Sequence, residues 1–176
     1  MEIREPKKIE TETETESLYL FSDASFCQKS KQGVAGYMSL GYKELCSAAS
    51  SLPHIQTSFM KEKSNIRMEL RAAIDALLSV PKGRKATLYT DCQCVVNLDS
   101  RREKLLAAGF CNKEGERLKN ADLYREFFLA LDNHPARIIW IKGHRKKSLN
   151  PLENCFRQVD QKVRKELKEK KTALTL

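Results

Sequence analysis

Two short segments, LYLFSD at residues 18–23 and ATLYTD at 86–91, repeat one pattern, an apolar run of strand character that closes on a hydroxyl residue and an aspartate. Between them the hydrophobic period changes. From Asn65 onward Ile66, Leu70, Ala73, Ile74 and Leu77 recur at helical spacing, Ser64 or Asn65 is suited to cap the start, and Pro81 with Gly83 ends the run. Earlier, residues 28–33 are polar and turn-like, and GVAGYMSLGYKELCSAASSL reads as two strands joined at Gly41. Helical spacing returns at residues 92–98 and 122–131, a strand follows at 137–141, and 152–170 reads as a last helix. Three strands, helix, strand, helices, strand, helix describes an α/β chain with a mixed five-stranded sheet. Its first three strands are antiparallel, the later ones parallel across helical crossovers.

The 176 residues suit one domain, with no internal repeat and no linker. Residues 1–17 carry three basic residues against six glutamates, and their TETETES stretch has no apolar side chain to hold it, so they read as a flexible acidic arm. Residues 18–170 form the expected domain, and 171–176 a C-terminal tail. No apolar run approaches the ~20 residues that span a bilayer. The N-terminal stretch has no apolar segment after its charges and is rich in glutamate, which argues against a secretory signal or transit peptide, so a cytoplasmic, monomeric protein is expected. The six cysteines make no CxxC pair and read as reduced thiols. The net charge of +9 and pI near 9.3 lie mainly in the globular body and point to an anionic partner, most simply nucleic acid.

Asp23 and Asp91, at the ends of the two echoing strands, fall where ligands bind in open α/β sheets, the crevice beyond strand carboxyl ends. One such aspartate also serves as a helix cap or turn former, a reading that a matched pair weakens. Two more acids sit on helical faces otherwise apolar. Asp160 lies within a stripe of Phe156, Val159, Val163 and Leu167, and Glu69 borders the stripe that begins at Ile66. A buried carboxylate needs a partner, here either a cation in the crevice or an ion pair with Arg67 or Arg164. Four acids in one crevice would repel each other unless a metal neutralised them, and hard divalent ions favour such all-oxygen sites. With a basic surface around it, that cluster suggests phosphodiester hydrolysis.

In chain order, SDAS (Asp23), NIRMEL before an alanine pair (Glu69), YTDCQ (Asp91), IKGH (His144) and VDQKV (Asp160) resemble the type 1 ribonucleases H across roughly residues 18–170. The resemblance implies a ribonuclease H-like fold. It implies that Asp23, Glu69, Asp91 and Asp160 ligate two Mg2+ ions, with Mn2+ as a substitute, and that the chain cleaves the RNA strand of an RNA/DNA hybrid to leave a 3′-hydroxyl and a 5′-phosphate. By the same resemblance His144 sits in a mobile loop and moves a proton. Asn65 and Gln93 would touch the minor groove, where 2′-hydroxyls mark RNA. Ser64 would hold a DNA-strand phosphate, and Lys29 with residues 99–119 would add phosphate contacts. KNADLY, from Lys119, resembles the helix after the family's basic protrusion, although a solvated helix face accounts equally for those charges. Ala24 stands where many members have glycine, and the path from His144 to Asp160 is longer than usual, so Glu153 is kept as an alternative fourth ligand. Two rival functions stay open: a hybrid- or duplex-binding module with an impaired site, and another nuclease on the same fold.

Overall fold

The computed structural model describes residues 17–47, 54–144, 148 and 150–173. The expected acidic arm therefore lies outside the described residues apart from Ser17, as do the last three residues of the tail and most of the basic loop after His144. Five strands, β1 (Leu18–Cys27), β2 (Gln32–Gly41), β3 (Gln56–Lys61), β4 (Ala86–Thr90) and β5 (Ala136–Trp140), form one sheet in the order β3-β2-β1-β4-β5. β1 and β2, and β2 and β3, run antiparallel, while β1, β4 and β5 are parallel, as the element order predicts.

Six α-helices accompany it among the described residues: α1 (Tyr42–Ser47), α2 (Asn65–Leu78), α3 (Gln93–Val96), α4 (Arg102–Ala107, preceded by a 3-10 turn at Asp99–Arg101), α5 (Ala121–Asn133) and α6 (Pro151–Ala173). No described helix is long and apolar enough to cross a membrane. Alternation along the strands divides the core between the two faces. Leu20 and Leu88 meet Leu70, Ala73 and Leu77 of α2 and Phe127 of α5 on one face. Phe21, Val34 and Met38 meet Phe156, Val159 and Val163 of α6 on the other, so the apolar stripe around Asp160 is indeed buried.

Three local readings differ from the structure. β1 does not end at Ser22 and Asp23 but continues to Cys27, because its antiparallel pairing with β2 persists to Cys27↔Gln32. What ends near Asp23 is the parallel pairing with β4, whose last pair is Phe21↔Tyr89. The residues after Gly41 do not form the third strand. They fold as α1, where Glu44 Oε2 accepts the Gly41 N–H at 2.7 Å and Leu45 is the one buried side chain. The true third strand, QTSFMK, is an edge strand with no fully buried residue, which is why its alternation is weak in the sequence. Ile66, read as part of the α2 stripe, is 42% exposed, and it is Met68 of the same turn that packs on the sheet, beside Ala35.

Ser64 caps α2, its Oγ accepting the Arg67 N–H at 3.4 Å. α6 crosses β2 at Gly36, where an added Cβ would collide with Val163 Cγ1. Overpacking of this kind costs about 1–3 kcal/mol. Gly36→Ala is therefore expected to lower urea-unfolding stability by about that amount, and Val163→Ala in the same chain to recover part of the loss by opening the contact.

Candidate active site

Strand order reverses at β1 and β4: the chain builds outward to β2 and β3 on one side and to β5 on the other. A crevice opens at such a point beyond the parallel strands' carboxyl ends. The echoing segments lie side by side there, in register from Leu18↔Ala86 to Phe21↔Tyr89, with the last two rings stacked at 5.3 Å. Asp23 and Asp91 both follow two residues beyond that final pair. Glu69 reaches in from α2, and ligand oxygens of Asp23, Glu69 and Asp91 all lie within 4.8 Å of one another. Asp160, from α6, lines the same cleft of about 390 Å³. Asp23, Glu69 and Asp160 are each no more than 5% exposed.

Burial, then the charges of Asp91 and Asp160, pushes the Asp23 carboxyl up to about 8, against a stabilising hydrogen bond from the Ala24 backbone. Glu69 is raised well above its ordinary range by burial first and then by Asp23 and Asp91. Asn65 Nδ2 donates to Glu69 Oε1 at 3.3 Å, whereas Glu69 Oε2 is buried with no hydrogen-bond partner among the described residues. Burial also raises Asp91, while His144 pulls it down.

The two ion pairs considered from the sequence divide. Arg67 does not meet Glu69: its guanidinium turns away to Glu62 at 2.6 Å and Asp122 at 2.7 Å. Arg164 does meet Asp160, Nη1 to Oδ2 at 3.6 Å, and also stands 3.3 Å from His144 Nδ1. That same imidazole nitrogen is 3.2 Å from Asp160 Oδ1. Nδ1 cannot serve both at once, since it must be bare to accept from arginine and protonated to donate to aspartate.

His144 and Asn65 line the cleft, and despite the long path from His144 it is Asp160 that arrives there. Glu153 sits in the first turn of α6, outside the cleft lining. Gln93 is exposed at the start of α3, and Lys29 is exposed in the β1–β2 turn; neither lines the cleft. Within residues 99–119, Leu105 and Phe110 are buried and a bridge pairs Cys111 with Arg117, so this basic segment is packed onto α5. Sequence reasoning missed Gly143, at which a Cβ would overlap the Asp91 carboxylate. The glycine of IKGH was the available signal, but only the fold reveals what presses on it.

An RNase H family model matches residues 15–168. The chain belongs to the RNase H family. Curated relatives include a ribonuclease H of Hahella chejuensis, 34% identical over 90 residues, 51% of this chain and 61% of the relative. A ribonuclease HI of Helicobacter pylori is 35% identical over 92 residues, 52% of this chain and 60% of that protein. The matches thus span about 60% of these two relatives' length. A ribonuclease H of Caldanaerobacter subterraneus is 29% identical over 115 residues, 64% of this chain and 74% of its own. Among solved structures, LC9-RNase H1, described as a type 1 RNase H with the type 2 active-site motif, aligns with TM-score 0.58 and 22% identity over 80% of this chain and 69% of that one. That likeness establishes the RNase H-like fold.

The raised carboxyls of this RNase H-family site carry a stability consequence. A carboxyl whose folded value exceeds its unfolded one binds more protons when folded, so its contribution is present at low pH and is lost as pH rises. For Asp23 the window runs from 3.8 to about 8. In metal-free buffer Asp23→Asn should gain stability over wild type progressively across that window, with the largest rise in Tm at its upper end. Thermal unfolding of the two proteins at matched pH values checks this.

Proposed function

We propose that the chain is a metal-dependent endoribonuclease that hydrolyses the RNA strand of RNA/DNA hybrids. The observation that carries this reading is the gathering of Asp23, Glu69 and Asp91 oxygens within 4.8 Å of one another, with Asp160 in the same cleft. Membership of the RNase H family supports the substrate class.

The residues fit a divalent cation. All four acids offer only oxygen, the donor that Mg2+ prefers, and Mn2+ accepts the same set. The partnerless Glu69 Oε2 and the raised Asp23 and Glu69 carboxyls describe a site short of positive charge. Asp23, Glu69, Asp91 and Asp160 would hold two Mg2+ ions. When bound, such ions lower the pKa of water and stabilise the leaving oxygen of a phosphodiester.

The chain's own residues supply the rest. Asn65 orients Glu69 through its amide, and as an exposed residue at the cleft it is available to a minor-groove edge along with Gln93. Ser64, at the α2 N-terminus, would help hold a DNA-strand phosphate. His144, whose Nδ1 stands 3.2 Å from Asp160 Oδ1, would take or deliver a proton at the leaving oxygen or water. Lys29 and the packed basic segment 99–119 would add phosphate contacts. The six free thiols agree with a reducing compartment such as the cytoplasm, where the chain would act as a monomer.

The decisive measurement is cleavage of an end-labelled RNA/DNA hybrid, with and without Mg2+, beside RNA and DNA duplexes. Metal-dependent cutting of the hybrid's RNA strand alone is expected, with Asp23→Asn or Asp91→Asn reduced at least ~100-fold. Binding without cutting in Mg2+ or Mn2+ would instead support a binding module, and preferential cutting of duplex or branched DNA another nuclease. A separate expectation concerns Gly143: Gly143→Ala should cut turnover by roughly tenfold or more, because displacing a ligand by about an ångström is costly, while leaving hybrid binding in EDTA unchanged.

A further inference from the structure

The placement of Asp91 depends on side chains instead of the sheet. The parallel ladder runs out at Thr90, whose carbonyl accepts the Ile141 N–H at 3.0 Å. One residue later the chain leaves β4 for α3, and among the described residues the Asp91–Cys92 peptide group has no backbone partner for its carbonyl or its N–H. Two side chains serve it instead. Thr90 Oγ1 accepts the Cys92 N–H at 3.2 Å, and the Trp140 indole Nε1–H donates to the Asp91 carbonyl, also at 3.2 Å. On the far side Gly143 packs directly against the Asp91 carboxylate.

Trp140 is the chain's only tryptophan. It closes β5, an edge strand whose one neighbour is β4. The residue is 46% exposed and belongs to none of the buried clusters on either face of the sheet, so burial gives a poor account of so large a side chain at this position. What distinguishes it is the N–H aimed at a carbonyl that would otherwise lack a partner. Phenylalanine or isoleucine would serve the strand equally well and could not make that bond.

We propose that Trp140 is a positioning residue for Asp91, its indole N–H setting the backbone from which this metal ligand projects. The inference rests on the reading that the carboxylate cluster binds a divalent cation. It adds a residue outside the acidic set and one strand away, and it joins the edge strand that leads into His144 to the centre of the site. Loss of the bond leaves Asp91 in place but frees its peptide to rock. The cost then falls on metal affinity, with little effect on the fold or on hybrid binding.

The test uses Mn2+ alone as probe, its binding followed by electron paramagnetic resonance and checked with Mg2+ by calorimetry. Two altered proteins are compared with wild type. Trp140→Phe removes the N–H together with part of the ring. Replacement of tryptophan by benzothienylalanine, in a tryptophan auxotroph, exchanges only the N–H for sulfur and alters only this position, because the chain has a single tryptophan. Both should bind Mn2+ about three- to tenfold more weakly, the worth of one neutral hydrogen bond, with circular dichroism and hybrid affinity in EDTA unchanged. Unchanged Mn2+ affinity in the benzothienyl protein would overturn the role of the N–H, whatever the phenylalanine variant does. Absence of Mn2+ binding in wild type would instead overturn the metal-site reading itself, and this inference with it.

Discussion

Parallel pairing between β1 and β4 stops at Phe21 and Tyr89, and everything about the site follows from what lies two residues beyond. There Asp23, still paired with β2, and Asp91, just past the end of β4, lie close together, Glu69 and Asp160 close in from helices, and three of the four acids are at least 95% buried. Like charges in such a space oppose folding, since burial and mutual repulsion act in the same direction. The apolar layers on both faces of the sheet must hold the carboxylates together against that force. Their tight points lie beside the acids: α6 meets Gly36 through Val163, and Met68, adjacent to Glu69, packs on Gly33.

A second constraint fixes α2, the helix that carries Ser64, Asn65 and Glu69. Buried Arg67 is bound by both oxygens of Asp122, by Glu62 and by the Lys119 carbonyl. Next to it Arg71 bonds Glu126 on α5 and stands 3.8 Å from Glu62. A buried arginine is tolerable only with its donors paired, and here the pairing ties α2 to α5 and to the end of the basic segment 99–119. The cleft and the basic segment are thereby held in one frame, which makes it useful for that segment to be packed. The strong pull of Arg67 on Asp122, which holds that carboxyl far below its ordinary range, is the electrostatic trace of the same tie.

Much of this was legible along the chain because it rests on local patterns. The period change at Asn65, the Ser64 cap and the apolar stripe of α6 are properties of contiguous residues, and each appears in the fold near its expected place. The echo of LYLFSD and ATLYTD proved to be a neighbour relation in space, with the two strands in register. The failures have a common cause. β3 is a half-exposed edge and α1 buries a single leucine, so neither carries enough burial to mark its period. β1 outlasts its apolar run because hydrogen bonding to β2, and not side-chain burial, sets its end.

The sequence by itself determined the α/β class, most of the element order and the identity of the acids, since hydrophobic period and residue chemistry are both written locally. It also carried the family motifs that a match over residues 15–168 bears out. Tertiary structure alone decided which basic residue each acid meets, that Asp160 enters the cleft while Glu153 stays outside, and that Gly143 and Trp140 bear on Asp91. Those contacts join residues far apart along the chain, 55 positions for Arg67 and Asp122, and depend on directions set by strand pairing and helix packing. No pattern of neighbours along the chain encodes such directions, because they exist only once the sheet has ordered its strands and the helices have closed on its two faces.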